Sequence, residues 1–168
     1  MGVIRRSNSP YSSPIEIVQK KDGTLRICPD YRKLNKISIF DPEPMNTAED
    51  IMANMNQAKY YTKLNLCKGY WQIPMYEANI EKTAFITQDG HYEFTRKAFG
   101  FVISGATLAK GLREVLKNHG NVVIYVDDII VYNNTLKENL KTIEKVLQKQ
   151  KEVSITLKPS KYMSVKQK

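Results

Sequence analysis

Cysteine is nearly absent. Cys28 and Cys67 are the only two in 168 residues, far apart and without metal-ligand spacing. Neither a disulfide framework nor a zinc site is supported, and a reducing, intracellular setting fits. Histidine is as scarce, and His91 and His119 each stand alone beside a turn glycine, so neither is assigned a role. Long apolar runs are missing too. The opening carries Arg5 and Arg6 but no signal-peptide core, and no later stretch approaches the length of a membrane span. Gly2 has Arg6 where a myristoylation signal needs Ser or Thr, so no signal for secretion or membrane attachment is read. Acidic residues fall short of basic ones, 17 against 26, leaving a formal charge of +9. Such a surplus suits a polyanionic partner such as nucleic acid, although charge alone leaves ordinary solubility equally open.

What is present centres on Ile124-Tyr125-Val126-Asp127-Asp128-Ile129-Ile130-Val131-Tyr132. Its β-branched and aromatic residues favour strand over helix, and the paired acids break it into a hairpin with both carboxylates at the turn. Two adjacent carboxylates in a dry setting repel and lose hydration, so a divalent cation is the functional reading and a simple turn the plain one. Two-residue hairpins usually prefer Asn-Gly or Asp-Gly, which weighs against the plain reading.

Around this hairpin the chain reads as one α+β domain or two intimate lobes. Alternation over 15–18, a Lys20-Lys21-Asp22-Gly23 turn and a return over 25–28 make a first hairpin, with Lys20, Lys21 and Arg26 near its tip. Those cations suit a phosphate chain as well as they suit solvent. Asp41-Pro42-Glu43-Pro44 is a rigid connection. Asn46 or Thr47 then caps a short helix expected to turn Ile51, Met52 and Met55 to the core. A strand over 60–66 follows, then a hairpin of 83–87 with 92–94 through Asp89-Gly90. Ser104 is expected to cap a helix bearing Leu108, Leu112, Val115 and Leu116, with Gly120 as its stop. Thr135 and Glu138 form a capping box for a helix expected to bury Leu136, Leu140, Ile143 and Leu147, and a last strand is read over 153–157.

Setting aside roughly 71–101, the order is strand, helix, two-stranded hairpin, helix, strand, the split βαβ pattern. Right-handed crossovers make the first two strands parallel, so the first strand ends at the edge holding the central turn. Topology therefore nominates Asn65 as a neighbour of Asp127 and Asp128.

Five ordered segments resemble the reverse transcriptase of gypsy-like long-terminal-repeat retrotransposons. They are Lys20-Lys21-Asp22-Gly23-Thr24-Leu25-Arg26; Asp30-Tyr31-Arg32-Lys33-Leu34-Asn35; Leu64-Asn65-Leu66 with Gly69-Tyr70-Trp71-Gln72-Ile73-Pro74; Phe99-Gly100; and Tyr125-Val126-Asp127-Asp128. The resemblance spans about 9–161 and implies the fingers and palm of a right-hand polymerase, with fingers at 1–39 and 73–103 and palm at 40–72 and 104–168. It implies RNA-directed DNA polymerisation, with Mg²⁺ or Mn²⁺ held by Asp127, Asp128 and position 65. Lys20, Lys21 and Arg26 would grip the triphosphate of the dNTP. Tyr70 would lie below the sugar, Phe99 and Gly100 against nucleotide and template, Asp30 and Arg32 would support the fingers and template, and Lys161 would assist the leaving pyrophosphate. Partners implied are a primer on an RNA or DNA template, other Pol segments or a second copy, and no membrane.

Departures from the family pattern accompany it. Asn65 stands where the family has a metal-bridging Asp. Ala98 replaces a usual Pro, Lys68 a small residue, and 101–109 has lost an Asn, a Pro and a Gln. The chain stops at Lys168, ahead of the family's primer grip, thumb and RNase H regions. The expectation is a truncated, catalytically inactive remnant, because Asn65 replaces the metal-binding Asp and the thumb is missing, with a non-catalytic basic nucleic-acid-binding module as the alternative.

Overall fold

A computed structural model describes residues 2–19, 23–39, 47–158 and 166–167. In chain order its elements are β1 (Ile4–Arg6), β2 (Ile15–Gln19), β3 (Leu25–Pro29), α1 (Arg32–Ile37), α2 (Ala48–Met55), β4 (Tyr60–Asn65), a 3₁₀ turn (Gly69–Gln72), α3 (Glu77–Ile80), a second 3₁₀ turn (Glu81–Thr83), β5 (Phe85–Thr87), β6 (Gly90–Phe94), α4 (Val102–Leu116), β7 (Val122–Tyr125), β8 (Asp128–Asn133), α5 (Leu136–Glu152) and β9 (Lys166–Gln167). The class is mixed α+β. Two compact units divide it, one of 1–41 with 70–104 and the other of 42–69 with 105–168.

In the first unit, β1, β6 and β5 form an antiparallel sheet in that order, and β2 pairs with β3 as a separate hairpin. Its core gathers Tyr31, Phe85, Phe94 and Ala98. Tyr31 is only 2% exposed and donates its hydroxyl to the Thr83 carbonyl at 2.7 Å, so the aromatic body and its polar tip are both accommodated. Buried Glu93 accepts from Arg5 Nε at 2.7 Å and Ser7 Oγ at 2.6 Å. Burial pushes its carboxyl up, but those two donors outweigh it and hold the group below the usual glutamate range.

In the second unit the sheet order is β7-β8-β4-β9, every neighbouring pair antiparallel. Thr62 and Leu64 of β4 and Ile129 and Val131 of β8 are buried on one face, against which α5 lies. Period-two alternation then sends Lys63 and Asn65, with their register partners Ile130 and Asp128, to the opposite face.

Several sequence expectations are corrected. Ile51 is buried in α2 but Met52 is 70% exposed, because the helix ends after two turns and buries only a narrow stripe. Thr47 caps it reciprocally with Asp50, while Asn46 and the Asp41–Pro44 connection lie outside the described residues. α4 begins two residues before Ser104, whose buried hydroxyl donates to the Ala98 carbonyl at 2.9 Å. The first amide of α4, Val102 N, is taken instead by Asn35 Oδ1 at 3.0 Å. The Thr135–Glu138 capping box forms as read. Yet α5 buries Asn139, Ile143, Val146 and Gln150, leaving Leu136, Leu140 and Leu147 exposed. Asn139 is accepted inside because Thr62 Oγ1 donates to its Oδ1 at 2.7 Å and its amide reaches the Tyr60 carbonyl at 3.3 Å. No strand forms over 153–157. The helix runs to Glu152, Ser154 turns the chain at φ 57°, and only a single bridge, Leu157 to Leu66, remains.

Candidate active site

The turn of the central hairpin lies one residue earlier than expected. Tyr125 pairs directly with Asp128, so the loop is Val126-Asp127 alone. Asp128 therefore opens β8, and only Asp127 sits in the turn. Val126 has φ 57°, a left-handed conformation that costs a β-branched residue on the order of 1 kcal/mol or more. Such local strain persists where the surrounding pairing over-determines it, and here four register pairs of β7 with β8 do so.

The dry setting expected for the acids is also corrected: Asp127 is exposed at the tip, and the Asp128 side chain is 17% exposed. Water at the turn relieves much of their repulsion. Asn65 lies opposite Asp128 in register, where topology placed it, and its amide Nδ2 donates to Asp128 Oδ1. Asp128 Oδ2 receives the Lys63 ammonium at 2.5 Å. Lys63 was not singled out from the sequence. The signal was available, since position 63 shares a strand face with position 65.

Hard divalent cations prefer charged oxygen. Asp127 and Asp128 offer two carboxylates, and rotation of the Asn65 amide would turn a neutral carbonyl oxygen toward them. Among the described residues no group of three or more His, Cys, Asp or Glu is placed to hold a metal ion. A divalent cation at this edge would meet two carboxylates and one neutral amide oxygen, one negative charge fewer than three carboxylates would give.

In the first unit, two residues assigned to the nucleotide, Arg26 and Tyr70, meet a third, Phe99, and Trp71, to which the resemblance gives no role, joins them. The Arg26 guanidinium lies 5.0 Å from the Phe99 ring centroid, and Tyr70 and Trp71 meet that ring edge-on at 5.0 and 5.8 Å. Gly100 follows at φ 83°, and a Cβ there would sit 3.4 Å from the Pro29 carbonyl. Its own carbonyl accepts from Asn35 Nδ2 at 2.8 Å. Asn35 thereby fixes both the Phe99-Gly100 loop and the first amide of α4, a role that spacing could not disclose. Asp30 takes both Arg32 Nε, at 2.9 Å, and Nη2, at 2.7 Å; these bonds hold its carboxyl down at about 2. Lys20, Lys21 and Lys161 lie outside the described residues.

Among the described residues, no helix is long and apolar enough to cross a membrane. The family model for reverse transcriptase (RNA-dependent DNA polymerase) matches residues 18–168. Over 167 residues the chain is 38% identical to the Retrovirus-related Pol polyprotein from transposon 297 of Drosophila melanogaster, covering 95% of this chain and 16% of that protein. It is 38% identical over 154 residues to the corresponding polyprotein from transposon gypsy of the same organism, covering 87% of this chain and 15% of that one. The foamy viral protease-reverse transcriptase dRH, solved in complex with ds DNA, superposes with a TM-score of 0.92 at 30% identity, over 99% of this chain and 29% of that one. Motif order, the sheet edge that joins Asn65 to Asp128, and these matches lead to one conclusion: the chain belongs to the reverse transcriptase family, and its similarity is to the Pol polyproteins of gypsy-like retrotransposons.

Proposed function

We propose that this chain is the fingers and palm of a retrotransposon RNA-directed DNA polymerase, acting on a primer annealed to RNA or DNA and on dNTPs, with chemistry weakened at position 65. In this reading the first unit is fingers and the second a split βαβ palm. The observation that carries it is the placement of Asp127 and Asp128 at a tight hairpin with Asn65 facing Asp128 across the sheet. Mg²⁺ or Mn²⁺ bound there would activate the primer 3′ hydroxyl and neutralise the triphosphate during in-line displacement. Asp127 and Asp128 would hold the cation, and Asn65 would contribute a neutral oxygen. Arg26, with Lys20 and Lys21, would hold the triphosphate; Tyr70, Phe99 and Gly100 would face sugar, base and template; Lys161 would attend the leaving pyrophosphate; Asp30 and Arg32 would brace the fingers. The cluster of Arg26 and Tyr70 on Phe99 supports that grouping.

A second reading, a basic nucleic-acid-binding module without turnover, is favoured by the occupation of both Asp128 oxygens by nitrogen donors. Primer extension with dNTPs and Mg²⁺ or Mn²⁺ separates the two. The proposal expects weak incorporation that Asp127→Asn abolishes. Primer–template binding with no incorporation in either cation would favour the second reading, and robust extension would overturn the weakened chemistry assigned to Asn65.

A further inference from the structure

Lys63 stands in register with Ile130, not with Asp128, so its side chain runs diagonally along the open sheet face to reach the carboxylate. Long side chains can span such a diagonal. It arrives at 2.5 Å from Asp128 Oδ2, while the Asn65 amide holds Oδ1. Both oxygens of the better-shielded acid are therefore engaged, and Asp127, exposed at the turn, is the accessible one. A cation coordinates carboxylate lone pairs, the same lone pairs these nitrogens use. Asn65 can rotate its amide to present oxygen; an ammonium has only donors and must leave.

We propose that Lys63 is an intramolecular competitor of the divalent cation: its ammonium neutralises Asp128 in the metal-free chain and is displaced when the ion moves from Asp127 onto the pair. The inference rests on the metal-site reading above and goes beyond it by assigning a residue that sets the site's affinity from within. Lys63 is a positioning residue here, since it touches Asp128 and not the ion. With Lys63 in place, the two carboxylates and one ammonium sum to a single negative charge; without it, a dication meets two.

The test is Mn²⁺ binding followed by calorimetry and by loss of the free-ion electron paramagnetic resonance signal. The chains compared are the original, Lys63→Gln, Lys63→Arg, Lys141→Gln and Asp127→Asn. Lys141, exposed on α5, supplies the same change of net charge away from the strand face. Lys63→Gln is expected to bind Mn²⁺ roughly fivefold tighter, the scale of one partly exposed ion pair, with Lys63→Arg within about twofold of the original. Lys141→Gln should gain far less, and Asp127→Asn should lose the binding. Thermal denaturation adds a readout that a structural role would not move: saturating Mn²⁺ should raise the melting temperature more in Lys63→Gln than in the original chain. Equal Mn²⁺ affinity with and without Lys63, or an equal gain from Lys141→Gln, overturns the competitor role while leaving the metal site standing. Absence of Mn²⁺ binding in every chain, Lys63→Gln included, overturns the metal-site reading and this inference with it.

Discussion

Replacing Asn65 with Asp should move metal affinity and metal-free stability in opposite directions. Asn65 donates to Asp128 across the β4–β8 register. Aspartate cannot donate when ionised, and it sets a third carboxylate beside the pair. Loss of one hydrogen bond to a charged acceptor, discounted for partial exposure, costs about 1 kcal/mol, with like-charge repulsion adding to it. With a dication present the sign reverses. A unit negative charge about 4 Å from a divalent ion in water-like surroundings adds about 2 kcal/mol of attraction, and screening at physiological ionic strength leaves about 1.3 kcal/mol, or roughly tenfold in affinity. Calorimetric Mn²⁺ titration of the original and Asn65→Asp chains reads the second effect, and urea denaturation with and without Mn²⁺ reads the first. The substituted chain should melt lower in chelator, and Mn²⁺ should close much of that gap through preferential binding to the folded state. Equal Mn²⁺ affinities in the two chains would refute the argument, because position 65 could then not contribute to a cation site at the aspartate pair.

Primer–template binding should be weak, indifferent to sequence, and steeply reduced by salt, given a formal charge of +9; anisotropy across a salt series measures it, and a flat salt response would count against phosphate contacts. Tyr31→Phe should cost about 1 to 1.5 kcal/mol in urea denaturation, because it strands the buried Thr83 carbonyl. Glu93 gives a pH dependence. Its folded carboxyl is held below the unfolded value, so its contribution is fully present above the ordinary range near 4.5 and is lost as pH falls from there through the lowered folded value. Glu93→Gln should therefore flatten the acid limb of stability against pH, and an unchanged limb would show that other carboxylates dominate it.

Local chemistry determined a good deal by itself. Thr135 and Glu138 form their capping box because that signal acts within a few residues of itself, whereas the hairpin read through Asp89-Gly90 turns at Gln88-Asp89, with Gly90 already paired to Thr87 in β6. The approach of Asn65 to Asp128 followed from element order, since crossover handedness leaves few ways to arrange the strands. Tertiary structure decided what depended on distant partners. The α5 stripe of leucines matched helical period, yet the helix turned Asn139 inward because Thr62, 77 residues away, offered it a hydroxyl once β4 and β8 had paired. Val126 took a left-handed turn that its side chain disfavours because pairing of β7 with β8 left only two residues to reverse the chain. Lys63 alternated as any exposed strand residue would; that its ammonium ends on Asp128 was fixed only when a carboxylate 65 positions later came within its reach on the same sheet face.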